Sequence, residues 1–486
     1  MKTLPSTRPA AAHGIRARWW LALLFLSVLG WGGRSFGAPT PNAEGTWQVG
    51  VATRKLTPAG PIWLAGYAGR AAPSSGVDTD IFAKSLALSD GRGGRVVIVT
   101  LDLIRVPLVL REYIERTAAQ KFGLKPSEIL LNASHTHSGP EVEPDRLELE
   151  TVFSRMAKPA DVAAVAAFAI FLREAVLNVI GESLSAPWPA RLDFSEARAG
   201  FAMNRRRPES NGTFSNNPYP AGPVDHAVPV LKITDTGGKI RALLFGYACH
   251  NTTLSGDQVS GDYAGYAQRY LETSYPGTTA LFLLGGGGDQ NPYPRGKMVP
   301  GQAVEIAAQQ HGRALANAVH TALAASPRGV RGPLRTALAP ALLDYDLLPA
   351  TELAKFRGPA FTAPVLARAR ALEKTLADGQ RVPTLACPVQ VIQFGADLTL
   401  VALGGEVVVD YSLRLKSELA GAAAIWVAGY SNDVFGYLGS RRVIAEGGYE
   451  GLSANTRILN HPGAFTATAE DRVVAKVHEL RRQLGP

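Results

Sequence analysis

Two histidines separated by one residue follow an apolar stretch in the first third of the chain. Residues 129–131 have the composition of a buried strand, and His135 and His137 then precede the turn signal Ser138-Gly139-Pro140. Side chains two residues apart on a strand point to the same face, so a strand that continues through the pair would present both imidazoles together. For an isolated pair, one packed and one solvated histidine is the simpler interpretation. Polar residues at the ends of other predicted strands favour a functional site instead.

Three further apolar runs end in polar or glycine-rich residues. His250 ends the run that starts at Ala242, Asp289 follows the glycines at 285–288, and Glu406 follows the run 398–403. In an open α/β sheet, ligands and catalytic groups collect outside the carboxyl ends of strands. Two or three imidazoles with one carboxylate make the ligand set of a catalytic zinc, which keeps one position open for water. The pattern therefore favours a metal site over scattered polar residues. Other histidines lie on predicted helices, where a solvated face is expected: His311, His320 and His478.

Several of these polar residues also have a purely structural interpretation. Asp289 could orient a metal-bound histidine or cap a helix, and Glu406 could bind a metal or favour a helix N-terminus by its charge. The glycines at 285–288 indicate either a close backbone approach to a site or a plain tight turn. Arg205 to Arg207 could form only a solvated loop. The patterns alone leave these alternatives open.

Strands and helices alternate along the chain, which predicts an α/β fold with mixed β-sheets flanked by helices. The main predicted helices cover 108–122, 159–183, 263–275, 302–325, 408–418 and 469–484. The main predicted strands cover 47–52, 82–89, 96–101, 129–137, 191–195, 228–234, 242–250, 280–284, 389–394, 398–403 and 424–430. No linker or internal repeat divides residues 39–486, so one large domain is expected.

The N-terminal segment 1–38 has the pattern of a secretory signal. Basic residues precede the apolar run 19–29, and Phe36-Gly37-Ala38 supplies small residues for cleavage. A secreted or periplasmic protein is therefore expected, with an uncleaved membrane anchor as the alternative. No later segment is expected to be long and apolar enough to span a membrane. Cys249 and Cys387 are the only cysteines and could form one disulfide, although spacing cannot show that they meet.

The net charge argues against a nucleic-acid partner. The formal charge is +9, but 1–38 holds five basic residues and no acid, so the remaining chain is near +9 − 5 = +4. Lysines and arginines are dispersed and form no nucleic-acid-binding motif. A mildly basic surface is compatible with weak peripheral membrane contact.

The segment His135-Thr136-His137-Ser138-Gly139-Pro140 resembles the signature of the neutral/alkaline non-lysosomal ceramidase family. The likeness continues in order from about Gly50 to Gly451. Segments similar to family motifs are Gly50-Val51-Ala52, Met203-Asn204-Arg205, Val224-Asp225, Cys249-His250-Asn251-Thr252, 260–266, Gly405-Glu406, 429–437 and Tyr449-Glu450-Gly451.

This resemblance implies a site and an activity. It implies one zinc ion per chain, with the ligands His135, His250, Glu406 and Tyr437, and it places His137 beside the metal-activated water and Arg205 near the polar head of the substrate. Such a site would hydrolyse an N-acyl, ceramide-like amide, with His137 passing a proton to the leaving amine. Tyr437 would be a weak ligand that hydrogen-bonds the developing oxyanion.

Two departures from the family pattern limit this implication. Asn291 stands where the family has its active-site serine, and an amide can donate a hydrogen bond but supplies no hydroxyl. The family's C-terminal β-sandwich is also expected to be missing. A zinc hydrolase of an ester or another non-sphingolipid substrate therefore stays open, as does a non-catalytic exported binding protein with a vestigial site.

Overall fold

Alternating apolar side chains build a large curved sheet with two buried faces. The computed structural model describes residues 46–149, 156–295, 303–358 and 360–485, so the predicted signal segment 1–38 lies outside the described residues. Along one strand, Leu86 and Leu88 pack on the inner face while Ala83 and Ala87 pack on the outer face. This two-residue alternation is expected of a strand buried on both sides.

The large sheet contains nine strands: β1 (Trp47–Lys55), β2 (Phe82–Ser89), β3 (Arg95–Leu101), β4 (Ile129–Ala133), β5 (Trp188–Arg198), β6 (Ala227–Asp235), β7 (Ile240–Tyr247), β8 (Thr279–Leu284) and β9 (Arg328–Val330). Their order is β8-β7-β6-β5-β1-β2-β3-β4, and β9 pairs with β5. The two end pairs, β7–β8 and β3–β4, are parallel, and the pairs between them are antiparallel.

A second sheet of four strands packs against the inner face of the large one. Its strands are β10 (Leu334–Leu343), β11 (Leu385–Phe394), β12 (Leu398–Leu403) and β13 (Ala424–Ala428), hydrogen-bonded in that order. Side chains from both sheets, such as Ile98, Leu244, Leu400 and Trp426, share one core. Burying two apolar faces against each other is the main favourable contribution to such a fold.

Helices cover the outer face of each sheet. The longer ones are α1 (Leu108–Phe122), α2 (Pro159–Ser185), α3 (Asp262–Ser274), α4 (Val304–Ala324), α5 (Ala363–Ala377), α6 (Val409–Glu418) and α7 (Ala469–Leu484). Helices α1 and α2 pack on the β1–β4 half of the large sheet, α3 and α4 on β7 and β8, and α6 and α7 on the second sheet. The predicted mixed α/β fold with flanking helices is confirmed, whereas the division into a signal segment and one domain stays a prediction.

Short strands and helices lie between these larger elements. Two-stranded ladders pair Gly76–Val77 with Gln258–Val259, Ala202–Asn204 with Gln290–Pro292, Arg206–Pro208 with Phe214–Asn216, Tyr345–Leu347 with Gly463–Phe465, and Glu406–Val407 with Tyr437–Leu438. The short helices are Asp145–Leu149, Ala350–Lys355, Arg441–Glu446 and Ala454–Thr456, with helical turns at Pro126–Glu128 and Tyr449–Ser453.

The large sheet curves so that its two end strands, β4 and β8, lie next to each other, and Asn132 joins them by a hydrogen bond. The Asn132 Oδ1 atom accepts a hydrogen bond from the backbone N–H of Leu284 at 2.9 Å, and its Nδ2 atom donates to Gly429 O at 2.7 Å. Asn132 thus joins β4 to β8 and to the segment after β13. The segments that follow β4 and β7 therefore lie close to each other.

Helix α2 is long and apolar enough to cross a membrane by length and composition. The expectation that no segment after residue 38 meets that criterion is therefore wrong. The helix packs on β1 and β2, and its buried side chains, Val176 and Ile180 among them, belong to the core. Cys249 and Cys387 are both buried and free, so they do not form the disulfide that their number allowed.

Candidate active site

His135 and His137 lie together because of a turn and not because of strand periodicity. Strand β4 ends at Ala133, and His135 has φ of +58°, a left-handed conformation that is rare for a residue with a Cβ atom. The prediction that the strand continues through the pair is therefore wrong. The Nε2 atoms of the two rings are nevertheless 3.1 Å apart. The local strain at His135 marks the position as one that the surrounding structure holds in place.

Both candidate histidine ligands point their Nε2 atoms inward because their other ring nitrogen donates to a backbone carbonyl. His135 Nδ1 lies 2.7 Å from Ile104 O, and His250 Nδ1 lies 2.7 Å from Gly287 O. Such a bond selects the tautomer that protonates Nδ1 and leaves a lone pair on Nε2. A Cβ atom at Gly287 would lie 2.9 Å from Cys249 N. The glycines at 285–288 therefore allow a close backbone approach, which was one of the two interpretations of this segment.

Glu406 and Tyr437 are neighbours across a two-residue parallel ladder. Their Cα atoms are register partners, which places the carboxylate and the phenol side by side. Glu406 Oε2 lies 3.2 Å from His135 Nε2 and 3.4 Å from His250 Nε2. The Tyr437 hydroxyl lies 3.3 Å from His250 Nε2. The four residues that the family resemblance implies as ligands therefore lie together.

Three acceptor atoms lie together in this site and are here called the acceptor centre: His135 Nε2, His250 Nε2 and Glu406 Oε2. With both Nδ1 atoms protonated, the centre itself contains no donor, and Glu406 Oε2 is a buried oxygen without a hydrogen-bond partner. Buried lone pairs that face each other are costly unless a cation or proton lies between them. Ligands about 2.0–2.2 Å from a tetrahedral zinc would be roughly 3.3 Å apart, which matches the observed separations. The residues therefore fit a metal ion.

His137 offers a third imidazole to the same place. The ligand atoms of His135, His137 and His250 all lie within 4.8 Å of one another, so this three-histidine cluster could hold a metal. His137 Nδ1 is buried without a hydrogen-bond partner. The geometry is compatible with His137 as a ligand or as a neighbour of the ion. Two residues that were not assigned a role hold its ring: the Tyr67 ring centroid is 4.8 Å away, and a Cβ atom at Gly66 would lie 2.4 Å from it.

A buried group of charges adjoins the acceptor centre. Glu450 accepts from Arg205 Nε at 2.7 Å and from Arg206 Nη1 at 2.6 Å. Arg205 Nη2 donates to the Tyr437 hydroxyl at 2.9 Å, which links these residues to the site. Arg205, Arg206 and Glu450, here called the arginine–glutamate network, are all buried. The alternative of a solvated arginine loop is therefore wrong for Arg205 and Arg206 and holds only for the exposed Arg207.

Asn291 lies behind Arg205. Its Oδ1 atom accepts from Arg205 Nη1 at 3.2 Å, and its Nδ2 atom faces Asn216 Oδ1 at 3.4 Å and the Tyr293 hydroxyl at 3.5 Å. Asn291 has no exposed surface, and among the described residues it does not line the pocket above the centre. The structure thus brings Asn291 to Arg205 and not to the pocket wall.

Asp289 serves as a helix cap. Its Oδ1 atom accepts from Val409 N, the first residue of α6, at 2.9 Å, and its Oδ2 atom accepts from Asn204 Nδ2 at 2.9 Å. Burial raises the pKa of Asp289. The hydrogen bonds of its carboxylate go to these groups and to Gln290 rather than to a histidine. Of the two interpretations of this residue, the structure supports the capping role.

Burial determines the protonation of the site. It lowers the pKa of His250 to about 3, and it lowers the pKa of His137 well below its usual value, with the charges of the neighbouring histidines acting in the same direction. Burial opposes ionisation of Glu406, but the adjacent imidazoles of His135 and His250 hold the pKa of Glu406 well below its ordinary value. Burial raises the pKa of Tyr437 well above its usual value. At neutral pH the site therefore presents a carboxylate at Glu406, neutral imidazoles at His137 and His250, and a protonated phenol at Tyr437.

A pocket of about 110 Å³ opens above the acceptor centre. Its floor includes His135, His137, Glu406 and Tyr437, and its wall includes Tyr67, Tyr449, Arg105, Arg146 and Arg457. Sequence reasoning did not single out the wall residues Arg105, Arg146 and Arg457. No local pattern in the sequence marks these three arginines.

Comparison with known families agrees with the resemblance in the motifs. The profile described as neutral/alkaline non-lysosomal ceramidase, N-terminal, matches residues 47–307, which is more than half of the 486-residue chain. Neutral ceramidase B of Dictyostelium discoideum is 24% identical over 284 residues, which cover 52% of this chain and 37% of that protein. Neutral ceramidase of Drosophila pseudoobscura pseudoobscura is 23% identical over 239 residues, which cover 48% and 33% of the two chains. The matches thus span about a third of these relatives.

Solved structures share the fold. The neutral ceramidase of Pseudomonas aeruginosa superposes with a TM-score of 0.67 over 90% of this chain and 75% of that chain, at 18% sequence identity. A ceramidase in complex with C2 superposes with a TM-score of 0.68 over 91% of this chain. At this identity the likeness establishes the architecture, and it confirms the predicted fold class.

Proposed function

Because this chain belongs to the neutral/alkaline non-lysosomal ceramidase family, we propose that it is a zinc-dependent hydrolase of N-acyl amides. The observation that carries the proposal is the acceptor centre, in which two imidazole nitrogens and one carboxylate oxygen converge and the carboxylate oxygen has no hydrogen-bond partner. The proposed ligands are His135, His250, Glu406 and Tyr437. A bound zinc ion would lower the pKa of water and polarise the carbonyl group of the substrate.

The residues around the centre would move and hold protons. His137 is neutral and lines the pocket, so its Nε2 atom can take the proton that the attacking water loses and pass it to the leaving amine. Water thereby adds across the C–N bond and yields a carboxylic acid and an amine. Tyr437 is protonated and can donate a hydrogen bond to the amide oxygen as negative charge develops there.

Arg205 and Asn291 would act one step further from the substrate. Arg205 Nη2 donates to the Tyr437 hydroxyl, so the remaining phenolic proton is free to point towards the substrate. Asn291 accepts from Arg205 Nη1 and thereby helps to hold the guanidinium in place. We therefore propose that both orient Tyr437, with Arg205 closer to the polar head of the substrate.

Metal analysis and two matched substrates test the proposal. The full chain should contain about one zinc per molecule by mass spectrometry, and it should hydrolyse an N-acyl sphingosine faster than an ester analogue with the same chains. A faster reaction with the ester would favour the second candidate, a zinc hydrolase of esters. If the purified protein neither binds zinc nor hydrolyses either substrate, the enzyme proposal fails and a non-catalytic binding protein becomes the better account.

Export is part of the same proposal. The basic and apolar pattern of 1–38 supports a cleaved signal peptide and a secreted or periplasmic location. N-terminal sequencing of the protein recovered outside the cytoplasm should give a new N-terminus near residue 39. An intact Met1 in a membrane fraction would support the anchor alternative.

A further inference from the structure

The ring of His137 lacks the hydrogen bond that orients the imidazoles of His135 and His250. Each of those two rings has its Nδ1 atom 2.7 Å from a backbone carbonyl, whereas His137 Nδ1 is buried without a hydrogen-bond partner. The Nε2 atom of His137 nevertheless lies 3.1 Å from that of His135. A ring without such a bond is held by the position of its backbone and by packing. The residues that fix these two features therefore decide where the His137 ring points.

The guanidinium group of Arg70 binds the backbone of three separate segments. Its Nη2 atom donates to His137 O at 2.7 Å and to Gly256 O at 3.0 Å, and its Nη1 atom donates to Ala65 O at 2.6 Å. The Arg70 side chain is only 4% exposed. The rigid fork of guanidinium donors suits several fixed acceptors at once. Arg70 therefore fastens the backbone of His137 to the segment that contains Ala65.

The same arginine fixes the residues that pack against the His137 ring. Gly66 directly follows Ala65, and a Cβ atom at Gly66 would lie 2.4 Å from the His137 ring. The centroid of the Tyr67 ring lies 4.8 Å from that of His137 and 5.0 Å from Arg70 Cζ, so Tyr67 contacts both side chains. One buried cation thus connects the backbone of His137 with both residues that cover its ring.

The buried charge of Arg70 is compensated mainly by backbone carbonyls. Asp257 lies 3.8 Å from Arg70 Nε, and its side chain is 58% exposed, so this ion pair contributes little. Burial accordingly lowers the pKa of Arg70. A buried cation without a close, buried partner does not by itself stabilise a fold. Such a departure from the rules of stable packing is expected where a residue serves a functional site.

We propose that Arg70 and Tyr67 are positioning residues for the hydrolysis and hold the His137 ring at the acceptor centre. The inference rests on the proposed function, in which His137 takes the proton of the attacking water. Without either residue, the His137 ring can turn about its side-chain torsions and lose its approach to the centre. His135 and His250 keep their own hydrogen bonds to backbone carbonyls, so metal binding should persist.

Steady-state kinetics and metal analysis of the full-length protein test the effect on turnover. Arg70→Ala should lower kcat for the amide substrate roughly 10- to 100-fold per zinc-loaded molecule, because a small misplacement of a reacting group can cost about 100-fold. KM should change much less than kcat, and zinc content should equal that of the wild type. A wild-type kcat, or a loss of kcat that only follows a loss of zinc, would overturn the inference.

Arg95→Ala is the matched control. It also removes a guanidinium group that binds a carboxylate and a backbone carbonyl, those of Glu128 and Gly123, but it lies at the start of β3, the end remote from Ile104. Its kcat, KM and zinc content should equal those of the wild type. A fall in kcat as large as that of Arg70→Ala would show a general effect of lost stability and would overturn the positioning role.

Crystal structures provide a readout that does not depend on activity. In Arg70→Ala the Nε2 atoms of His135 and His137 should lie beyond hydrogen-bond range, more than about 3.5 Å apart. Tyr67→Ala removes a partly exposed ring and no buried charge, and it should displace the His137 ring even if Arg70→Ala does not fold. An unmoved ring in these variants would overturn the inference and leave amide hydrolysis intact. If the wild type cleaves no amide, the proposed hydrolysis fails, and the ring position alone decides whether these residues position His137.

Discussion

The acceptor centre and the arginine–glutamate network are adjacent and both buried, yet their polar atoms are satisfied in opposite ways. In the network, each oxygen of Glu450 accepts from one arginine, and Arg205 also donates to Tyr437 and Asn291. In the centre, acceptors face acceptors and Glu406 Oε2 has no hydrogen-bond partner. One region is complete as a set of protein groups, whereas the other leaves a buried acceptor that a cation or a proton would satisfy.

This difference separates positioning from chemistry. A satisfied ion-pair network holds its members in one geometry, and breaking it by removing one partner is costly. A cluster of buried acceptors destabilises the folded protein in the absence of a ligand, and binding of a cation offsets this cost. Tyr437 contacts both regions, since its hydroxyl accepts from Arg205 and faces His250 Nε2. The following changes should affect the two regions differently.

The largest effect is expected when the acceptor centre loses one imidazole. His250→Ala should abolish hydrolysis and lower metal affinity by more than roughly 100-fold, because even the loss of a residue that only supports a ligand costs about 10- to 100-fold. Metal content and turnover are measured together. His478→Ala removes a partly exposed histidine that pairs with Glu418 at 2.7 Å, and it should change neither. Full zinc content in His250→Ala would remove this residue from the ligand set.

The network should lose stability without losing metal. Glu450→Gln leaves Arg205 and Arg206 without their shared carboxylate, which should lower the free energy of unfolding by about 3–5 kcal/mol. Zinc content at saturating metal should stay near that of the wild type, because Glu450 contacts the network and not the acceptor centre. Urea unfolding and metal analysis check the two parts. The exposed-site variant Glu352→Gln is the control. Loss of metal at unchanged stability would reverse the assignment of the two regions.

Tyr437→Phe tests the residue that contacts both the acceptor centre and the arginine–glutamate network. The substitution removes the hydroxyl that would stabilise the developing oxyanion, so turnover should fall by roughly 10²-fold, which is about 2.7 kcal/mol. KM should change much less than kcat. If turnover and zinc affinity both equal those of the wild type, Tyr437 is neither a ligand nor an oxyanion donor.

The smallest effect should come from a buried histidine outside the acceptor centre. His461 Nδ1 lies 2.9 Å from the Tyr345 hydroxyl and its Nε2 lies 3.0 Å from Phe435 O, and burial lowers its pKa to about 4. The unfolded chain, with a histidine pKa near 6.5, binds more protons between about pH 6.5 and pH 4. Stability should therefore fall as the pH drops through this window, by about 2 kcal/mol between pH 7 and pH 5 from this residue.

Unfolding experiments at both pH values check the histidine prediction. His461→Gln should reduce the pH dependence by the share of this residue, because glutamine does not titrate. The partly exposed His478→Ala should retain it. A slope that is identical in His461→Gln and the wild type would show that other groups cause the acid sensitivity.

Local patterns predicted most of the elements that surround the site. Helices α1 and α7 and strands β2 and β12 begin and end at the predicted residues, because apolar periodicity and terminal glycines define them within the segment itself. Strand β10 and helix α5 were missed. His311, expected on a solvated helix face, is buried and stacks on Phe201 at 4.7 Å. Which face of a helix is covered depends on elements far away in the chain.

By itself, the sequence determined which residue types could meet: histidines and a glutamate after apolar runs, in an order that resembles one family. Only the tertiary structure decided how they meet. The left-handed turn at His135 replaces the predicted strand end, Asn132 draws the two end strands of the large sheet together, and the register of Glu406 with Tyr437 brings in the second sheet. It also decided that Asp289 caps a helix and that Arg205 and Arg206 are buried. The physical reason is that periodicity is local, whereas hydrogen bonds and burial between segments hundreds of residues apart exist only after the chain has folded.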